Sequence, residues 1–122
     1  SKFRKELQQG CVVTKGLDNC LQILTKKNWN QESEKMASLP STDKTSRQLR
    51  RALFSGAVDS SLDSAGRIQI PENLRAYSAI KENDDVTVTG SGPVIEIWAT
   101  KTWKKIQSDS DDAFANINEV KG

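Results

Sequence analysis

The sequence contains no histidine. That removes the commonest general base and the commonest metal ligand. Cys11 and Cys20 are its two cysteines, too few for a Cys/His zinc site or a disulfide framework. No apolar run approaches the ~18 residues that a membrane span requires, and no signal peptide is visible. Gly90-Ser91-Gly92-Pro93 is too short for a phosphate loop and lacks the Gly-Lys-Ser/Thr ending. No carboxylate pair or nucleophile stands in a readable catalytic context. The expectation is a cytoplasmic protein that is not an enzyme and carries no cofactor or metal.

Charge is present but uneven. Residues 1–107 hold 17 basic and 12 acidic groups, net +5, while residues 108–122 hold Lys121 against Asp109, Asp111, Asp112 and Glu119, net −3. A mildly basic body with an acidic tail permits nucleic-acid binding without demanding it.

The chain repeats itself. Residues 11–29 read CVVTKGLDNCLQILTKKNW and residues 85–103 read DVTVTGSGPVIEIWATKTW. A shift of 74 positions brings Val12 onto Val86, Gly16 onto Gly90, Leu21-Gln22-Ile23 onto Ile95-Glu96-Ile97, and Trp29 onto Trp103. Each copy reads as strand, glycine-containing turn, strand, then a helix capped by Thr25 or Thr100. Val86 and Val88 alternate with threonines, the period of a half-buried strand. Within such a hairpin Cys11 and Cys20 start opposite strands, roughly 13 Å apart at ~3.3 Å per residue, too far for a disulfide. Upstream, Lys2-Phe3-Arg4 matches Asn73-Leu74-Arg75, and each reads as a short helix leading into its hairpin.

Between the copies, DKTSRQLRRALFSGA places Leu49, Ala52 and Leu53 at helical spacing, with Ser41 or Thr42 as the cap and Gly56 as the stop. Arg47, Arg50 and Arg51 cluster on this connecting helix. They suit a phosphate clamp, or more readily pairing with acidic neighbours across a subunit interface or with solvent. Trp29 and Trp103 are not interleaved with basic residues on a strand face and read as packing between helix and hairpin. Trp103, Ile106, Ala113, Phe114 and Ile117 suggest a C-terminal helix.

DSAGRIQIP, residues 63–71, occurs once. Ala57–Leu62 reads as an incoming strand and Asp63–Arg67 as a loop. In the outgoing strand Ile68 and Ile70 share a face. Gly66 allows a positive φ, and Pro71 opens the helix that carries Leu74. Asp63 can accept from the turn's backbone N–H groups or pair with Arg67. That would hold the Arg67 guanidinium in a fixed orientation, suited to phosphate oxygens or a guanine edge. From the residues alone, a plain hairpin turn is the stronger reading. The counterpart of this arm would lie just upstream of Ser1, so the expectation is a chain lacking the first arm of its first repeat.

DSAGRIQIPENLR is similar to the D-x-x-G-R-[IV]-x-[IV]-P-x-x-[IL]-R pattern of AbrB/SpoVT swapped-hairpin DNA-binding domains. The duplication, with SKFRKEL, VVTKGLDNCLQI, RRALFSGA and VIEIW in this order, resembles the MraZ family of bacterial proteins with two tandem AbrB-like halves. The resemblance covers nearly all of residues 1–106. It implies an α+β fold in which two swapped-hairpin halves form a pseudo-symmetric barrel with flanking helices. The expected divisions are a first half over 1–38, a connecting helix over 39–56, a second half over 57–106, and a C-terminal helix with an acidic tail over 107–122.

The resemblance also implies a function. Such proteins form rings, often of about eight subunits, on promoter repeats of double-stranded DNA. They repress the division and cell wall gene cluster. Carried over, Arg67 is the DNA-contacting residue and Asp63 its orienting partner, with Arg75, Arg4 and Lys2 as further candidates. The implied setting is the nucleoid, with no membrane partner. The alternatives are an AbrB-type transition-state regulator or antitoxin, and a structural ring protein that does not bind DNA.

Overall fold

The computed structural model describes residues 2–92 and 94–120, apart from the side chains of residues 2–4, 91 and 117–120. The chain opens with helix α1 (Lys2–Gln9), hairpin β1 (Cys11–Lys15) and β2 (Leu21–Thr25), and helix α2 (Lys26–Ala37). The connecting helix α3 (Lys44–Gly56), a short strand β3 (Val58–Ser60) and helix α4 (Glu72–Ser78) follow. Hairpin β4 (Val86–Ser91) and β5 (Val94–Ala99) then leads into the long helix α5 (Thr100–Val120).

The strands form one antiparallel sheet in the order β3-β1-β2-β5-β4. The two repeats meet at its centre, where Leu21 faces Ile97 and Ile23 faces Ile95. Among the described residues the sheet stays open: β3 and β4 are its two edges, so the expected barrel is not closed there.

Both sheet faces are covered around β1 and β2, which explains the unbroken apolar run Cys11-Val12-Val13. On one face Cys11, Val13, Leu21, Ile23, Ile97 and Ala99 form a buried cluster with Leu7 of α1 and Leu74 of α4. On the other face Val12, Leu24 and Trp98 are buried, and Thr14 donates to the Leu53 carbonyl of α3 at 2.8 Å. Leu74 is fully buried, which contributes about 2 kcal/mol by removal of its side chain from water.

Local chemistry accounts for the element ends. Thr25 caps α2 by accepting from the Asn28 N–H at 3.1 Å. α3 is capped by Asp43, which accepts from the Ser46 N–H at 3.1 Å and the Ser46 hydroxyl at 2.6 Å, rather than by Ser41 or Thr42. The carboxylate is the stronger acceptor and sits one residue before the helix. Thr100 is the first residue of α5 instead of its cap, and its hydroxyl meets that of Thr87 at 3.0 Å. In the first hairpin turn Asp18 and Asn19 adopt left-handed φ values of 62° and 66°, a conformation their short polar side chains tolerate.

The repeat alignment shifts by one residue in the first strand of each hairpin. Val13 pairs with Ile23 and Val88 with Ile97, so Val13 corresponds to Val88 and Cys11 to Val86. The second turn is one residue shorter: Lys15 pairs with Leu21, but Gly90 with Ile95. A one-residue step exchanges the two faces of a strand, so it places Val86 and Val88 on the face of the buried cluster.

Candidate nucleic-acid interface

Residues 63–67 form an exposed tip between β3 and α4. The Asp63 N–H donates to the Arg67 carbonyl at 2.8 Å, and the Gly66 N–H donates to the Asp63 carbonyl at 3.0 Å. Gly66 takes a φ of 81°, where a side chain would be strained. The Asp63 carboxylate works on both sides of the turn. Its Oδ1 accepts from the N–H groups of Ala65 at 3.0 Å and Arg67 at 2.7 Å. Its Oδ2 accepts from Arg67 Nε at 3.1 Å. The two roles considered for Asp63, turn acceptor and arginine partner, are therefore filled by its two oxygens.

These donors hold the Asp63 carboxyl below the usual carboxylate range. The backbone N–H of Arg67 has the largest effect, followed by the Arg67 guanidinium and the Ala65 N–H. The Arg67 side chain is 80% exposed, and no hydrogen bond engages its Nη nitrogens among the described residues. One edge of the guanidinium is anchored and the outer part of the fork faces solvent. Such a fork matches phosphate oxygens, or the O6 and N7 of a guanine, without first ordering a long flexible chain.

The strands expected on either side of the tip are shorter than the sequence suggests. The incoming strand spans Val58–Ser60, not Ala57–Leu62, and Ile68–Ile70 is not a strand. A strand needs a ladder partner, and among the described residues none lies beside 68–70. The expected alternation survives: Ile68 and Ile70 pack against the core cluster while Gln69 is exposed. The base of the arm is tied down by the Leu62 N–H, which donates to the Leu7 carbonyl of α1 at 3.2 Å. No periodicity in the sequence signals this tie, because it is a backbone contact between distant segments.

The other candidates belong to other elements. Arg75 lies on α4, half-buried, and its Nε is buried without a hydrogen-bond partner among the described residues. It lines a concavity of about 430 Å³ with Ile68, Ile70, Ile80 and Lys81. Lys2 and Arg4 belong to α1, and their side chains lie outside the described residues. Arg47, Arg50 and Arg51 lie on α3; Arg47 donates to the Ser41 carbonyl at 2.9 Å. Trp103 packs against Trp98 of β5 at 5.6 Å, between helix and hairpin as expected, whereas the ring contact of Trp29 is edge-on with Phe54 of α3 at 5.8 Å, between two helices.

Cys11 and Cys20 are free and buried. Burial, with Asp59 nearby, raises the Cys11 pKa. Burial, then Glu96 and Asp18, pushes Cys20 up to about 12. Neither thiol is poised as a nucleophile. Among the described residues no group of His, Cys, Asp and Glu is arranged to hold a metal, and no helix is long and apolar enough to cross a membrane.

The sequence matches the family model described as "MraZ protein, putative antitoxin-like" twice, over residues 1–52 and 53–120. The two matches abut within α3 and together take in both hairpins and the exposed arm. The chain thus carries two tandem MraZ domains and belongs to the MraZ family.

Proposed function

We propose that this protein is a sequence-specific DNA-binding regulator of transcription, with no catalytic activity. It acts as a ring oligomer on promoter repeats and represses the division and cell wall gene cluster. The observation that carries this reading is the Arg67 guanidinium, anchored at Nε by Asp63 and open at its outer nitrogens on an exposed tip. One weakly basic subunit binds DNA poorly; linked subunits raise the effective concentration of each later contact. That assembly would gather on the nucleoid.

The test is a gel shift on promoter DNA at two salt concentrations. Arg67→Ala weakens binding by about 1–3 kcal/mol per engaged subunit if Arg67 reads a base edge. If it touches phosphate alone, the variant weakens all sequences equally and flattens the salt dependence. Unchanged binding excludes the tip as the contact, and oligomers without DNA affinity would leave a structural ring. The family's antitoxin-like description favours a second reading, in which the same arm binds DNA and the protein also neutralises a toxin. Relief of a toxin's growth inhibition on co-expression distinguishes it.

A further inference from the structure

Helix α5 is too long for the sheet that supports it. It rests on β4 and β5, with Trp103 and Ile106 half-buried, but residues 107–116 are all exposed. Phe114 is 68% exposed. At 3.6 residues per turn, Trp103, Ile106, Ser110, Ala113 and Phe114 form one stripe, flanked by Asp109 on one side and Asp111 on the other. A solitary helical extension shorter than ~12 residues is marginal in water, so this stripe calls for a cover.

The first repeat has one. There α2, which carries the matching Trp29, is covered by α3 through Phe54. Around Phe54, which is 40% exposed, α3 carries Lys44 and Arg51, both exposed, and Arg47 and Arg50, both half-buried. α3 holds four cations and no acidic residue. The exposed stretch 107–116 of α5 holds three acidic residues and no cation. No ion pair joins either cluster to its own chain among the described residues.

We propose that the distal half of α5 docks on the face of α3 that carries Phe54, in a second copy. Phe114 lies against Phe54, and Asp109 and Asp111 face Arg47, Arg50 and Arg51. The contact is heterologous, since one copy gives α5 and the next gives α3. Successive copies therefore join head to tail and close into a ring where the rotation allows. This names the surface for the ring assembly proposed above and rests on that assembly, not on the DNA contact.

Native mass spectrometry of the full chain, with circular dichroism to verify folding, tests it. Arg50→Glu with Arg51→Glu, and separately Asp109→Lys with Asp111→Lys, each raise the concentration of half-dissociation by about tenfold or more. Combining all four reversals in one chain restores assembly. Phe114→Ala, at an exposed position, weakens assembly without loss of helix content. Reversals that leave the assembled mass unchanged overturn the proposal while ring assembly stands. If Arg50→Glu with Arg51→Glu keeps its mass but loses affinity for all DNA sequences equally, α3 is a phosphate clamp and the proposal falls. A wild-type chain that is monomeric throughout removes both the interface and the ring, leaving the Arg67 gel shift as a separate measure of DNA contact.

Discussion

β1 and β4 are the matching first strands of the two repeats, but their surroundings differ. β1 lies between β2 and β3, and its Cys11 and Val13 are fully buried beneath α1 and α4. Among the described residues β4 has β5 on one side only, and its corresponding Val86 and Val88 are 44% and 60% exposed. The helices repeat the contrast: α2 is covered by α3, whereas α5 extends past its sheet. Strand chemistry makes an antiparallel hairpin twice, closed by turns of different length. What each hairpin buries depends on which distant segment is laid over it. β4 also carries no charge along VTVTGS, although a lysine or proline is the usual guard of an exposed edge.

Paired substitutions probe this contrast. Leu74→Ala empties a fully buried site against β1 and lowers the unfolding free energy by about 2–5 kcal/mol in denaturant titration. Val88→Ala, on the open strand, changes it by about 0.5 kcal/mol or less. Equal losses would mean that β4 is covered in solution as thoroughly as β1. Next in size are the helix starts. Thr25→Ala removes a cap and costs about 1 kcal/mol, while Thr100→Ala removes only the hydroxyl contact with Thr87 and costs about 0.5 kcal/mol. Thermal unfolding of the two variants should preserve that order; a reversal would show that the two helices start in the same way.

The smallest effect separates the arm from both hairpins. Asp63 titrates below its ordinary value because its partners stabilise the charged form. Its contribution is therefore complete above the ordinary carboxylate range and is lost as the pH falls through the lowered pKa. In Arg67→Ala the two backbone donors remain, so the Asp63 carboxyl should rise only part of the way back, as read by carbon-detected NMR titration. A full return to the ordinary carboxylate value would show that the guanidinium alone holds the turn.

Local features of the fold are readable from residue order. Thr25 announces α2, the Gly-Leu-Asp-Asn turn announces the first hairpin, and Gly56 marks the end of α3. The arm is legible for the same reason. Asp63, Gly66 and Arg67 lie within five positions, and every bond that fixes the guanidinium runs between neighbours in sequence. The slipped register of β4 is harder to read. A constant shift of 74 matches Val12 to Val86 and Gly16 to Gly90, but the shorter second turn moves the pairing by one place, so that Val13-Thr14 corresponds to Val88-Thr89. The capping role of Asp43 was hidden because Ser41 and Thr42 offer the same chemistry next to it.

By itself, the sequence determined the duplicated hairpins, the helix that joins them and an arginine clasped by an aspartate on a turn. Each depends on contacts a few residues long. Only the tertiary structure decided that β3 crosses to the β1 of the other repeat, that the sheet remains open at β4, and that Phe114 projects unshielded beside acidic residues. These depend on segments that meet across dozens of residues. Burial is a property of those meetings, and local pattern carries no record of them.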